Sequence, residues 1–272
     1  MVKTFSSTST PLVEACTLTK QFGAVQALTG LDFRVMPGEI YGLLGPNGAG
    51  KTTTIKIIAG LLEPTSGQVR VGGFDPVVHP IEVKSRIGYV AENPILYESL
   101  SAREFLEFVA SIRKIEQDEA NHIATQLANA FDMTQYFDSP IGALSLGMKQ
   151  KVALVASLFH RPPILLLDEP LNGLDAKSSR IVKDLVSLHA QNGGAVLFST
   201  HVMEVAEYIC TRICIIHQGK MIAEGTFDEL KSKAEGEHET LEEIFLSLTN
   251  ERGKVVDMTG LLGEAFCRNE AG

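Results

Sequence analysis

Apolar residues fall along this chain in three patterns, and each predicts a different kind of element. Short unbroken apolar runs recur at Glu39-Ile40-Tyr41-Gly42-Leu43-Leu44, Ile164-Leu165-Leu166-Leu167 and Ala195-Val196-Leu197-Phe198, with a fourth in Arg212-Ile213-Cys214-Ile215-Ile216. Runs of this kind predict short strands buried on both faces, the pattern of a parallel sheet. The opening from Leu12 to Val35 instead alternates in short segments, with turn signals at Phe22-Gly23 and Pro37-Gly38, and predicts two antiparallel strands. Gln68 to Gly73 reads as a strand ending in a turn, and Ile87 to Val90 as another short strand. From about Glu92 to Leu144 the period becomes helical. There Ser101-Ala102-Arg103-Glu104 forms a capping box, with Phe105, Phe108 and Val109 on one face, and a second helix is predicted from about Glu119 to Phe131. A second capping box, Thr240-Leu241-Glu242-Glu243, precedes Ile244, Phe245 and Leu248 at helical spacing. The economical architecture is α/β, with a helical insert inside it.

Composition narrows this picture by exclusion. A chain of 272 residues holds one large or two small domains with a substantial core. Its net charge of −9 argues against a nucleic-acid partner, which needs basic surface. The longest apolar runs, Val152 to Phe159 and Ile164 to Leu167, are core-length and well short of the roughly 20 residues that span a bilayer. Met1 to Pro11 has many Ser and Thr but no apolar stretch, so it reads as a disordered lead-in and not as a signal peptide. Cys16, Cys210, Cys214 and Cys267 form no C-x-x-C pair and read as apolar filling in a reducing compartment.

Chemistry enters at Gly45-Pro46-Asn47-Gly48-Ala49-Gly50-Lys51-Thr52, a complete G-x-x-x-x-G-K-[ST] phosphate-binding loop. The glycines let successive backbone N–H groups turn toward phosphate oxygens. Lys51 supplies a point charge, and the Thr52 hydroxyl can ligate Mg²⁺. The context agrees, since a buried strand precedes the loop and Thr52-Thr53-Thr54-Ile55 can open a helix whose N-terminus favours anions. Such a loop needs a carboxylate at the exit of a buried strand to hold the metal. Asp168, after four apolar residues, is placed for that task, at the edge where ligands sit in open α/β sheets. Glu169 follows directly and can polarise an attacking water.

Taken in order, these motifs resemble the ATP-binding subunit of an ABC transporter, over nearly the whole chain from about Leu12 to Leu248. Leu144-Ser145-Leu146-Gly147-Met148 stands where that family keeps its L-S-G-G-Q signature, with Ser145 lying 23 residues before Asp168. Asn172-Gly173-Leu174-Asp175 resembles the D-loop, and His201, after Ser199-Thr200, resembles the switch histidine. Phe22 stands where an aromatic stacks on adenine. The resemblance implies a P-loop NTPase core with an N-terminal antiparallel β-subdomain and an inserted α-helical subdomain at about 92–160. The ATPase domain would span 12–249, followed by a tail over 250–272. It assigns nucleotide binding to Phe22, to Gly45, Pro46, Asn47, Gly48, Ala49, Gly50, Lys51, Thr52 and Thr53, and to Glu92, Ser145, Gly147 and Asp175. It assigns catalysis to Glu169 and His201, and Mg²⁺ to Thr52 and Asp168.

The implied mechanism is head-to-tail association of two such chains, a homodimer, with each ATP held between one chain's phosphate loop and the other's signature. Hydrolysis would power a separately encoded transmembrane permease, with this chain peripheral on the cytoplasmic face of the membrane and the permease docked on the helical insert. The general look, including Met148-Lys149-Gln150-Lys151, resembles export-type subunits more than importers. Four positions in three motifs depart from the family pattern. Leu146 and Met148 replace Gly and Gln in the signature, Glu92 stands where the Q-loop glutamine is usual, and Leu171 stands where Thr is frequent. Two other readings use the same residues. One is a soluble ATPase of this superfamily serving assembly or repair, which co-purification with a membrane protein would exclude. The other is a regulatory module that binds nucleotide without hydrolysis, against which Glu169 and His201 speak.

Overall fold

The computed structural model describes residues 10–234 and 240–249. The lead-in expected up to Pro11 falls outside them except for its last two residues, and so do the tail from Asn250 and Cys267. As the alternation predicts, β1 (Val13–Phe22) and β2 (Val25–Val35) pair antiparallel through a tight turn. β4 (Ser66–Val71) adds to the other side of β1, giving a three-stranded sheet.

The unbroken apolar runs build the second sheet. β3 (Ile40–Leu44), β6 (Ile164–Asp168) and β7 (Ala195–Thr200) are buried at every residue. With β5 (Ile87–Val90), β8 (Arg212–His217) and β9 (Lys220–Gly225) they form six strands in the order β5-β6-β7-β3-β8-β9. The first five run parallel, and β9 returns antiparallel to β8.

α1 (Lys51–Ile58) follows β3 and has a sequence poorly suited to a helix, with three threonines and three isoleucines in eight residues. Each β-branched residue costs up to about 0.7 kcal/mol relative to alanine. Complete burial of Ile55, Ile57 and Ile58 outweighs this, since each buried isoleucine contributes about 1.5–3 kcal/mol. The helix therefore exists because of its packing between the two sheets, in a core shared with Val13, Leu31 and Tyr41.

Between β5 and β6 the chain is helical, with α3 (Ala102–Arg113), α4 (Gln117–Ala130) and α5 (Leu146–Leu158) packed into one core. α2 (Pro80–Arg86) precedes β5, and α6 (Ala176–Gln191) lies between β6 and β7. α7 (Met203–Ile209), α8 (Phe227–Lys233) and α9 (Leu241–Leu248) close the far side around Leu44 and Ile215. Both predicted capping boxes form, the first with Ser101 N–H donating to Glu104 at 2.8 Å and the second at Thr240 and Glu243. One helical position differs from expectation. Phe105 is buried, but Phe108 is 43% exposed, edge-on to Tyr97. No described helix is long and apolar enough to cross a membrane.

Candidate active site

Sheet register explains why distant residues meet. Leu43 pairs with Ser199, and Ser199 pairs with Asp168, so these three lie on one rung of three parallel strands. The next positions along the chain leave the sheet at the same edge: Gly45 after β3, Glu169 after β6 and His201 after β7. In a parallel sheet this edge is where strands end and ligands sit.

The phosphate loop joins β3 to α1. Gly50, the N-cap of α1, has φ 110°, a conformation that L side chains rarely adopt. A Cβ there would stand 2.6 Å from Leu28 and 2.9 Å from the Ala27 carbonyl, so glycine is required twice over. Lys51 is buried and turns back on its own loop, donating to the carbonyls of Gly45 at 2.7 Å and Pro46 at 3.3 Å. A cavity of about 210 Å³ opens against the loop. Asn47, Lys51, Thr52, Thr53, Glu92 and Glu169 line it, together with Pro46, Gly48, Ala49 and Gly50. Glu92 thus reaches the same cavity as the loop. Phe22 does not line it. Phe22 sits at the β1–β2 turn, half exposed, with the Lys20 ammonium 4.9 Å from its ring centre, while Ala27 is the β2 residue at the cavity wall.

Glu169 is the hub of the site. Its side chain is 5% exposed, and Oε1 lies 3.3 Å from Lys51 Nζ and 2.9 Å from His201 Nδ1. An ionised carboxylate only accepts, so Nδ1 carries the proton in that contact and Nε2 remains as the second ring nitrogen. The backbone of Glu169 is left-handed, with φ 47°, an uncommon state for a residue other than glycine. Its N–H donates to Ser199, at 3.0 Å to Oγ and 3.2 Å to the carbonyl. Ser199 Oγ in turn donates to Asp168 Oδ1 at 2.6 Å. Asp168 Oδ2 is buried and has no hydrogen-bond partner, in a residue 1% exposed. A buried carboxylate oxygen left unpaired is costly, and a hard cation suits it. Tyr89, near Asp168, has its phenol pushed up to about 12 by burial and by that carboxylate. Neither Ser199 nor Tyr89 was singled out from the sequence. The signal for Ser199 was a polar residue late in an apolar strand.

The signature residues lie apart from this cavity. Ser145 is exposed and caps α5, accepting from Met148 N–H at 3.3 Å. Gly147 sits where a Cβ would be 2.2 Å from the Gly173 carbonyl, so the helix start and the loop before α6 touch backbone to backbone. Asp175 caps α6 through Ser178 N–H at 2.8 Å. These Ser178 bonds and Lys151 hold its carboxyl well below the ordinary range. Gly147→Ala is expected to destabilise the fold by about 1–3 kcal/mol through overpacking, read as a lower unfolding midpoint. An unchanged midpoint would show that the two segments part freely.

A second feature is an apolar groove of about 580 Å³ beside the helical insert, lined by Tyr89, Pro94, Leu96, Phe105 and Val109 among others. Ile95, also on its wall, is 99% exposed. The described cysteines are free. The thiols of Cys210 and Cys214 are each pushed up to about 12 by burial, which suits filling and not redox or metal chemistry.

Similarity to known proteins follows the same elements. The family model for the ABC transporter domain matches residues 28–172. The Bacillus subtilis ABC transporter ATP-binding protein NatA is 37% identical over 82% of this chain and 90% of its own length. The Escherichia coli protein named "Probable multidrug ABC transporter ATP-binding protein YbhF" is 38% identical over 89% of this chain, which spans 42% of that longer relative. Among solved structures, an ATP-binding subunit of an ABC transporter superposes with a TM-score of 0.83 at 32% identity, covering 88% of this chain and 99% of that one. A dimeric ATP-binding cassette, in a post-hydrolysis state bound to ADP and Pi, gives 0.71 at 26% identity over 79% and 98% of the two chains. With its phosphate loop, strand-exit carboxylates and signature helix in one α/β frame, the chain belongs to the ABC transporter family, among its ATP-binding proteins.

Proposed function

We propose that this chain binds and hydrolyses ATP as half of a head-to-tail dimer and so drives a separate transmembrane permease. The observation that carries the reading is the chain of contacts Lys51–Glu169–His201, whose first two members line the phosphate-loop cavity. Lys51 is held where a β/γ phosphate would replace the loop carbonyls as its partner. Glu169 acts as the base that takes the proton of the attacking water, and His201 orients Glu169 and reaches toward the γ-phosphate.

Thr52 and Asp168 would hold Mg²⁺, and the unpartnered Asp168 Oδ2 is the atom that suits it. When bound, the ion neutralises phosphate charge. Phe22 would stack on adenine from the β1–β2 turn, and Glu92 would contribute to the nucleotide site from the cavity wall. Ser145 and the backbone N–H of Gly147, at the exposed start of α5, would meet the γ-phosphate held by a second copy. Asp175 would face the nucleotide site across that junction. A structurally similar ATP-binding cassette that is dimeric and bound to ADP and Pi supports a dimer that handles nucleotide.

The groove around Ile95 and Phe105 is where a permease's cytoplasmic segment would dock, and such docking would hold the chain at the cytoplasmic face of the membrane. The test is a tagged full chain purified from detergent-solubilised membranes. The expected result is ATP hydrolysis and a co-purifying polytopic protein, lost in Ile95→Glu while ATP binding persists. An active ATPase recovered without any membrane protein would favour the assembly or repair reading instead.

A further inference from the structure

Glu169 stands at a left-handed backbone position, and such a position persists only where its surroundings hold it. Two of its supports are local to the sheet and the turn: Ser199, and the Asn172 N–H that donates to the Glu169 carbonyl at 3.1 Å. A third comes from the signature helix. Gln150 on α5 is 1% exposed, and its Nε2 donates to the carbonyl of Pro170, the residue after Glu169, at 3.4 Å. Gln150 Oε1 is buried with no partner. A buried glutamine with half its capacity unused is a costly way to fill a core, where leucine or methionine would leave nothing unsatisfied.

Neighbouring contacts show what Gln150 belongs to. Gly147 meets Gly173 backbone to backbone, and Lys151 Nζ lies 3.3 Å from Asp175 Oδ2. Positions 147, 150 and 151 are spaced i, i+3 and i+4, so they share one face of α5. That face rests on the turn from Pro170 to Asp175. The opposite end of the same turn is Glu169.

We propose that Gln150 is a positioning residue for Glu169, tying the first turns of α5 to the carboxylate that acts on the chain's own ATP. A shift of α5, when its start engages nucleotide on a second copy, is then felt at Glu169 through the Pro170 carbonyl. One composite site thereby reports to the other. This rests on the reading of Glu169 as the base, and the two can fail separately.

The test is Gln150→Met in the full chain, which keeps volume and removes the amide. Turnover at saturating ATP is expected to fall by between about fivefold and about a hundredfold, the upper figure being the cost of a misplacement near 1 Å. KM should stay near the wild-type value, as should the unfolding midpoint. ATP-induced dimerisation, measured in a Glu169→Gln background, should be retained. A kcat unchanged from wild type would overturn the proposal, and so would a fall in kcat matched by loss of ATP binding. If Gln150→Met does not fold, Gln150→Leu removes the amide with a second apolar side chain suited to a core. Failure of both to fold would make the residue a packing element and overturn the proposal. If Glu169→Gln itself turns over normally, the assigned base is wrong, whatever Gln150 does.

Discussion

Glu169→Gln is expected to cut steady-state ATP hydrolysis by about 10²–10⁴-fold, the range a positioned general base contributes, while an ATP-stabilised dimer accumulates. The substitution removes the basicity and the negative charge and keeps the shape. Gln has the shape of Glu, and the backbone N–H that bonds Ser199 is untouched. The amide oxygen can still accept from Lys51 or from His201 Nδ1, so the buried lysine is not abandoned in the core. This matters because breaking a buried ion pair by deleting one partner costs about 3–5 kcal/mol. Glu169→Ala would therefore confuse lost chemistry with lost structure. With Gln, Lys51 keeps the Gly45 and Pro46 carbonyls and stays at the cavity. ATP binding should consequently survive, and the closed pair, unable to turn over, should persist. Phosphate release and size-exclusion chromatography with ATP and Mg²⁺ read the two halves of the prediction. Turnover within a fewfold of wild type would refute Glu169 as the base.

The parts of this site that were legible in residue order were those whose chemistry is local. An apolar run ending in Asp168-Glu169, or in Ser199-Thr200-His201, announces a buried strand and its exit. A glycine-rich loop before Lys51 announces a phosphate cradle whatever surrounds it. Capping boxes at Ser101 and Thr240 are equally local, and both form. Register is not local. That Ser199 stands opposite Asp168 follows from how β6 pairs β7, which nothing within either strand encodes. The contact between Gly147 and Gly173, and the Gln150 bond to Pro170, depend likewise on the packing of α5.

Short elements escaped for another reason. α2 and α8 are each 7 residues, too few for a period to repeat, and β9 alternates weakly after a two-residue turn. Phe108 shares a face with Phe105 and Val109 by spacing, but spacing alone cannot tell which of them stays exposed. Phe22 marks the same limit, since its turn is readable but its distance from the cavity wall at Ala27 is not.

Ser145→Arg is expected to abolish ATP-driven dimerisation while a single chain still binds ATP. The two halves of the expectation come from one observation. Ser145 is exposed at the start of α5 and is not among the residues lining the phosphate-loop cavity of its own chain. A large side chain there points into solvent and meets nothing in the monomer. Its local cost is the lost cap on Met148, about 0.5–2 kcal/mol, which the fold can absorb. In a head-to-tail pair the same position must approach a second copy's phosphate at hydroxyl distance, with Gly147 N–H beside it. An arginine holds the surfaces apart before either contact forms. Ser145→Ala separates the two effects, because it loses the cap but adds no bulk and should still dimerise, more weakly. Fluorescent-nucleotide binding by the monomer, set beside size-exclusion with ATP in the Glu169→Gln background, measures both. Loss of binding together with dimerisation would place Ser145 in its own chain's nucleotide site. A dimer as stable as that of the parent would mean that the start of α5 faces no partner, and the head-to-tail arrangement would have to be abandoned.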